Sequence, residues 1–303
     1  METHPEKPTP CQSCTRTDCP ALQARPGESP EAFEERQAIQ SRLCRIRRTI
    51  LVLSGKGGVG KSTIAVNLAV ALRNAGYRVG LLDVDIHGPS VPTLLGLEGA
   101  SIPRGPEGLQ PLSAAGLKVM SVAFLLSDQD DALIWRGPMK MKLIKQFVRD
   151  VDWGDLDYLI VDAPPGTGDE PLTVCQVLAP HGAVVVTSPQ RVAAVDVRKS
   201  ITFCRHLQVP VLGVIENMSG FTCPRCGEQV AIFRKGGGRS LAKEMAVPFL
   251  GELPLDPGIG DDADQGLSFI EQRPDGTSAR NMRGIVQAIL DRVEGQRTPE
   301  TEF

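Results

Sequence analysis

The sequence has no apolar run approaching the roughly 20 residues that a bilayer-spanning helix needs. Its longest, such as IAVNLAVAL and GAVVVT, stop far short of that length, so no membrane span is expected. It also has no excess of base. A formal net charge of -3 and a pI near 5.9 give no broad positive field to hold nucleic acid or an anionic membrane, and neither is expected as a partner. The opening METHPEKPTPCQSC lacks the apolar segment of a secretory leader. A reducing cytoplasm is therefore the expected compartment, where eight cysteines call for a role other than disulfides. There is no internal repeat and no low-complexity array.

What is present is ample material for a core: 41% apolar residues in 303, enough for one large α/β domain or two smaller ones. Residues 1 to about 30 are rich in Pro, Ser, Thr and Glu, and lack the apolar surface to offset the entropy of ordering. SPEAFEERQAIQSRLCRI reads as a short helix with Ser29 as cap before Pro30. The expected division is a flexible cysteine-containing extension over 1–45, one domain over 46–295 and a disordered tail over 296–303. From residue 49 onward, β-branched runs (TILVLS, RVGLLDVD, DYLIVDAP, GAVVVTS, VPVLGVIEN) alternate with helical patterns such as TIAVNLAVALRNAG, PMKMKLIKQFVRDVDW and RNMRGIVQAILDRVEG. That alternation predicts an α/β fold with a mostly parallel sheet and helices on both faces.

Between the first strand and the first long helix of that domain lies GKGGVGKS, residues 55–62. It fits G-x-x-x-x-G-K-[ST] in the strand-to-helix context the motif requires. Gly55, Gly57, Gly58 and Gly60 let the backbone turn N–H groups, including that of Val59, toward phosphate oxygens. The helix start, with Thr63 in its first turn, adds its dipole. Lys61 neutralises phosphate charge, and the Ser62 hydroxyl suits Mg²⁺. Carboxylates follow where the sheet ends: Asp83 and Asp85 in LLDVDIHGPS, and Asp162 in LIVDAPPGTGDE. Acids at the C-terminal edge of a parallel sheet face the ligand crevice. Asn217 in VIENMSG offers the donor and acceptor that an adenine edge needs, although asparagine is equally a turn residue.

A second lysine inside the loop, Lys56, makes the segment resemble the deviant Walker A P-loop ATPases, the group of MinD, ParA and the nitrogenase iron protein. That resemblance implies an ATP-sandwich homodimer in which Lys56 reaches the other subunit's nucleotide. It further implies Asp162 as the Walker B acid, Asp83 as a magnesium-water partner, Asp85 as the switch I group that positions the attacking water, APPGTGD as switch II, and Asn217 at the base.

The remaining motif is CPRC, with Cys223 and Cys226. Two thiolates at this spacing reach one zinc ion or iron-sulfur centre but do not fill it. No second C-x-x-C or H-x-x-x-H follows nearby. A half zinc ribbon is one reading. The other joins the pair from each of two subunits on a two-fold axis, giving the four thiolates of a 4Fe-4S cluster. GKGGVGKST, DVDIHGPS, LIWRGPMK, QFVRDVDWGDLDYLIVDAPPGTGDE, ENMSGFTCPRCG and PLDPGIG together resemble the Mrp/ApbC family of ATP-dependent iron-sulfur cluster carriers, over about residues 45–290. The resemblance implies a slow cytoplasmic ATPase that binds ATP, Mg²⁺ and a bridging cluster, and hands the cluster to apo-proteins, with a related ATPase as a further partner. CQSCTRTDC, with Cys11, Cys14 and Cys19, resembles the end of the N-terminal four-cysteine site of the family's cytosolic assembly scaffolds, but the earlier cysteine is missing; Cys44, His4 or another molecule would complete it. Cys175 and Cys204 fall in helical patterns and read as packing residues. His87 and His206 have no partner at metal spacing. The competing functions are a MinD- or ParA-like positioning ATPase and an ATPase with structural zinc.

Overall fold

The computed structural model describes residues 22–86, 88–125, 137–223, 225–226 and 228–295. Cys11, Cys14, Cys19, His4, His87 and the 296–303 tail lie outside them.

Helix α1 (Pro30–Leu43) is followed by strand β1 (Ile46–Ser54), α2 (Lys61–Asn74), β2 (Val79–Asp83) and the short α3 (Val91–Leu94). A small ribbon of β3 (Arg104–Gly105) and β4 (Gly108–Leu109) precedes the hairpin of β5 (Leu112–Ala114) and β6 (Leu117–Ser121). Then come α4 (Gly137–Asp150), β7 (Leu156–Asp162), α5 (Asp169–Leu178), β8 (Gly182–Thr187), α6 (Arg191–His206) and β9 (Val211–Glu216). The chain closes with a two-stranded hairpin, β10 (Phe221–Thr222) and β11 (Gln229–Val230), then α7 (Gly237–Glu244), β12 (Phe249–Glu252), α8 (Pro257–Asp264), α9 (Phe269–Gln272) and α10 (Thr277–Gly295).

Eight strands form one sheet in the order β12-β9-β8-β1-β7-β2-β6-β5. All neighbours are parallel except β5 against β6, so the expected mostly parallel α/β architecture is the observed one. Because β1 is central, its residues Ile50, Leu51, Val52 and Leu53 are all fully buried, which is why the strand reads as an unbroken apolar run rather than an alternation. Ile50 and Val52 face a layer built on α2 and α10, including Ile64, Leu68, Met282 and Ile289. Leu51 and Leu53 face the opposite layer, where Phe147, Val148 and Val174 of α4 and α5 pack. The β1 strand begins three residues before the expected TILVLS, at Ile46.

Within the expected extension over 1–45, the expected short helix is observed as α1. Ser29 caps α1, its hydroxyl accepting from Ala32 N–H at 3.2 Å, and the helix sets Ile39 into the α4–α5 core layer. Lys145 of α4 reaches Glu35 at 2.8 Å.

Candidate nucleotide site and cysteine hairpin

Parallel strands deliver their C-terminal ends to one edge, and β1, β2, β7, β8 and β9 deliver the polar residues there. Register places Asp83 of β2 directly beside Asp162 of β7, two carboxylates on adjacent strands, both fully buried. Val52 of β1 pairs with the same Asp162, so the phosphate loop that leaves β1 at Gly55 begins three residues beyond the level of the acids.

In that loop Gly58 and Gly60 adopt φ of +77° and +79°, a left-handed geometry that side chains resist. Above Gly57 and Gly58 the space is open, whereas a Cβ on Gly55 would run into the backbone of Asp196 and Val197 in α6. The loop is therefore seated on α6 at its start and open at its crown, as a phosphate cradle requires. Lys56 is half-buried; its carbonyl oxygen accepts from Ser54 Oγ at 2.9 Å.

Lys61 opens α2 and is buried. Its Nζ lies 2.5 Å from Asp162 Oδ1, 3.4 Å from Asp85 Oδ2 and 3.4 Å from Ser62 Oγ. Asp83 is held by Asp85 N–H at 3.0 Å, by Ser121 Oγ at 2.9 Å and by Val91 N–H at 3.4 Å. Burial, with the Asp162 charge next to it, pushes Asp83 up to about 8. Burial also raises Asp162, against the opposing pull of Lys61. Among the described residues no donor reaches Asp162 Oδ2. Buried carboxyls on neighbouring strands, one with an orphaned oxygen, together with the Ser62 hydroxyl at the start of α2, have the donor chemistry that a hard divalent cation takes up.

Asn217 follows β9 and is buried; its Nδ2 donates to Val59 O at 3.0 Å, closing the loop from the far side. One amide N–H is thus engaged with the phosphate loop, leaving the second and the carbonyl oxygen for other partners.

Cys223 and Cys226 lie apart from these groups, at the turn of the β10–β11 hairpin, where Phe221 pairs with Val230 and Thr222 with Gln229. Cys223 N–H donates to Glu228 O at 2.9 Å. The amides of Cys226 and Arg225 point at the Cys223 sulfur and hold its thiol below the ordinary range, favouring the thiolate that binds metal. Cys175 and Cys204 are buried among apolar groups that push them up to about 11 and 12, the environment of inert core thiols. His206 ends α6.

Two functional contacts escaped the motifs. Ser121, which fixes Asp83, sits at the end of a strand with no signature around it. Glu216, fully buried, precedes Asn217 and anchors the ends of the cysteine hairpin; only an acid closing an apolar strand, IE at 215–216, hints at it.

A glycine-rich loop and lysine between a central parallel strand and a helix, with acids at the ends of neighbouring strands, define a P-loop nucleoside triphosphatase. Residues 45–290 match the profile of the ParA family, described as NUBPL iron-transfer P-loop NTPase, and the chain belongs to that family. It is 50% identical over 262 residues to the cytosolic Fe-S cluster assembly factor NUBP2 of Bos taurus, spanning 84% of this chain and 97% of the relative. The human NUBP2 is 49% identical over 263 residues, spanning 85% and 97%. Among solved structures, a nucleotide-binding protein of Archaeoglobus fulgidus in complex with ADP is 43% identical, with a TM-score of 0.69 over 76% of this chain and 91% of that one. The cell division ATPase MinD of Pyrococcus furiosus, at 22% identity and a TM-score of 0.60 over 80% and 98% of the two chains, shares the fold.

Proposed function

We propose that the protein is a cytosolic, ATP-hydrolysing carrier of a 4Fe-4S cluster that two copies hold between them through Cys223 and Cys226 and pass to apo-proteins. The observation that carries this reading is the separation of two sites in one domain: a phosphate cradle at the sheet edge, and a solvent-facing thiol pair whose backbone favours thiolate. The names of the NUBP2 relatives support the cargo, and the family supports the hydrolysis of ATP to ADP and phosphate.

In this reading the N–H groups of Gly55 to Ser62 and the Lys61 ammonium bind the β- and γ-phosphates, with Thr63 in the first turn of α2. Ser62, Asp83 and Asp162, the two acids partly through water, would hold Mg²⁺, which would supply charge neutralisation for the transferring phosphoryl group. Asp85 orients the attacking water, Asn217 reads the base, and Lys56 reaches the partner copy's phosphates. Two exposed valines, Val192 and Val195, lie just before the Asp196–Val197 peptide of α6 on which Gly55 rests. An apolar patch beside the loop is what a face-to-face dimer would cover. Two thiols per copy then give four, the number a cubane cluster takes. ATP binds the two dimer states unequally, and that difference drives loading or release. A related ATPase is a further partner.

The test is anaerobic reconstitution of the wild type beside Cys223→Ala/Cys226→Ala, with iron, sulfide and visible spectrum measured together with ADP affinity. The wild type takes up about one cluster per dimer; the double variant takes up none at this site and keeps its ADP affinity. Stoichiometric zinc in the anaerobically purified wild type, with no iron-sulfur absorption, would establish the structural-zinc reading instead.

A further inference from the structure

The cysteine hairpin leaves the sheet after β9 and returns at α7. Both of its feet meet on one side chain. Glu216 Oε1 accepts from Ser219 Oγ at 2.5 Å, at the outgoing foot, and from Gly236 N–H at 2.9 Å, at the returning one. Glu216 Oε2 accepts from Gly238 N–H in the first turn of α7. The carboxylate is fully buried, and its charge faces the positive end of the α7 dipole. Removing a buried, multiply bonded acceptor leaves its donors without partners.

The fit leaves no slack. A Cβ on Gly238 would lie 3.0 Å from Glu216 Cβ and 3.0 Å from Thr187 Cγ2, and one on Gly237 would press into the backbone of Pro189. Gly237 and Gly238 let α7 start close against Pro189 and the ends of β8 and β9, while Gly236, with nothing within 4 Å, supplies the left-handed cap at φ +83°. On the other side of the same peptide, Asn217 donates its side-chain amide to Val59 O in the phosphate loop and its backbone N–H to Thr187 O at 2.7 Å. Consecutive residues therefore grip the phosphate loop and the two feet of the hairpin.

We propose that Glu216 is a positioning residue that transmits the state of the nucleotide site to Cys223 and Cys226 by tying both feet of their hairpin to the strand end that carries Asn217. The proposal rests on the reading of the loop as an ATP site and of the thiols as the cargo site. A base that draws on the Asn217 amide shifts the end of β9, and the carboxylate carries that shift to Ser219 and to Gly236 together, so the hairpin moves as a unit. An acid that merely capped α7 would need neither the Ser219 bond nor the adjacency to Asn217. Glu216→Gln preserves shape while presenting an N–H to donors that need an acceptor, and so loosens the feet without opening a cavity.

The experiment uses the full-length, cluster-free protein and the alkylation rates of Cys223 and Cys226 by iodoacetamide at fixed pH, read by peptide mass spectrometry with and without Mg-ADP or Mg with a β,γ-imido ATP analogue. In the wild type nucleotide changes the rate at this pair by about fivefold or more, the size of an ordinary coupling. In Glu216→Gln the rates become independent of nucleotide, while the circular dichroism spectrum and melting curve show a folded protein that still binds ADP. Ser219→Ala, which releases only the outgoing foot, reduces the nucleotide effect, and it carries the test if Glu216→Gln does not fold. A nucleotide effect of wild-type size in either folded variant, or none in the wild type, overturns the proposal. Because no cluster is involved, failure of reconstitution would strike the carrier reading and leave this measurement standing.

Discussion

Lys61 Nζ sits 2.5 Å from Asp162 Oδ1, a buried ion pair in the place where a phosphate-binding loop needs its lysine. Without phosphate the lysine's charge is answered by the acids, and the acids' repulsion is answered by the lysine. Lys61→Met should destabilise the nucleotide-free protein by about 3 kcal/mol, the order expected when one partner of a buried pair is lost, and should abolish ADP binding in calorimetry. Adding Asp162→Asn should restore most of that stability without restoring binding, a non-additivity read directly from a double-mutant cycle in urea.

Gly60 and Gly57 separate backbone strain from open space. At Gly60 the backbone is left-handed and a Cβ would collide with the Asn217 amide. Gly60→Ala should cost about 2 kcal/mol or more of stability and weaken ADP binding by at least about tenfold, equivalent to 1.4 kcal/mol. A Cβ at Gly57 meets nothing within 4 Å, so Gly57→Ala should leave the urea midpoint within experimental error of the wild type.

The thiols should divide by environment. Burial pushes Cys175 and Cys204 up to about 11 and 12, whereas backbone amides lower Cys223. At pH 7 iodoacetamide should modify Cys223 at least about 100-fold faster than either helix cysteine, since the thiolate is the nucleophile. Peptide mapping over time checks the order, and modification of Cys204 at a comparable rate in folded protein would refute it.

Glu28 shows how α1 depends on pH. Two bonds from the Arg36 guanidinium, at 2.8 Å each, and the Arg25 amide hold its carboxyl at about 2, against an ordinary 4.5. A depressed carboxyl stabilises the folded form above its unfolded value and loses that contribution as pH falls through the folded one. Arg36→Ala should therefore raise amide exchange in the first turns of α1 at pH 6, and the difference from wild type should shrink between pH 4.5 and pH 2, the interval set by those values.

Much of this was legible in the residues. The GKGGVGKS loop announces itself because phosphate binding demands glycines, a lysine and a hydroxyl at fixed spacing, and the continuous apolar runs of β1, β7 and β8 announce buried parallel strands. Asp83 and Asp162 could be placed at a crevice, but that they lie side by side is a matter of strand register, which no local pattern encodes. The antiparallel β5–β6 edge and the two-residue strands of the cysteine hairpin are too short to show a period. The docking of α1 rests on Ile39 and on pairs such as Lys145–Glu35, contacts made across more than a hundred residues of chain. Glu216 was hidden for a similar reason: its partners are the hydroxyl of Ser219 and two glycine amides, which have no side-chain signature.

The central claim is that two copies pool their thiols, and native mass spectrometry of the anaerobically loaded protein tests it most directly. Mixing wild-type chains with mass-tagged Cys223→Ala/Cys226→Ala chains before loading should give dimers of wild-type chains carrying about four irons and four sulfides, and mixed dimers carrying no cluster at this site. Single chains that retain a full cluster, or mixed dimers loaded as fully as the wild type, would contradict it.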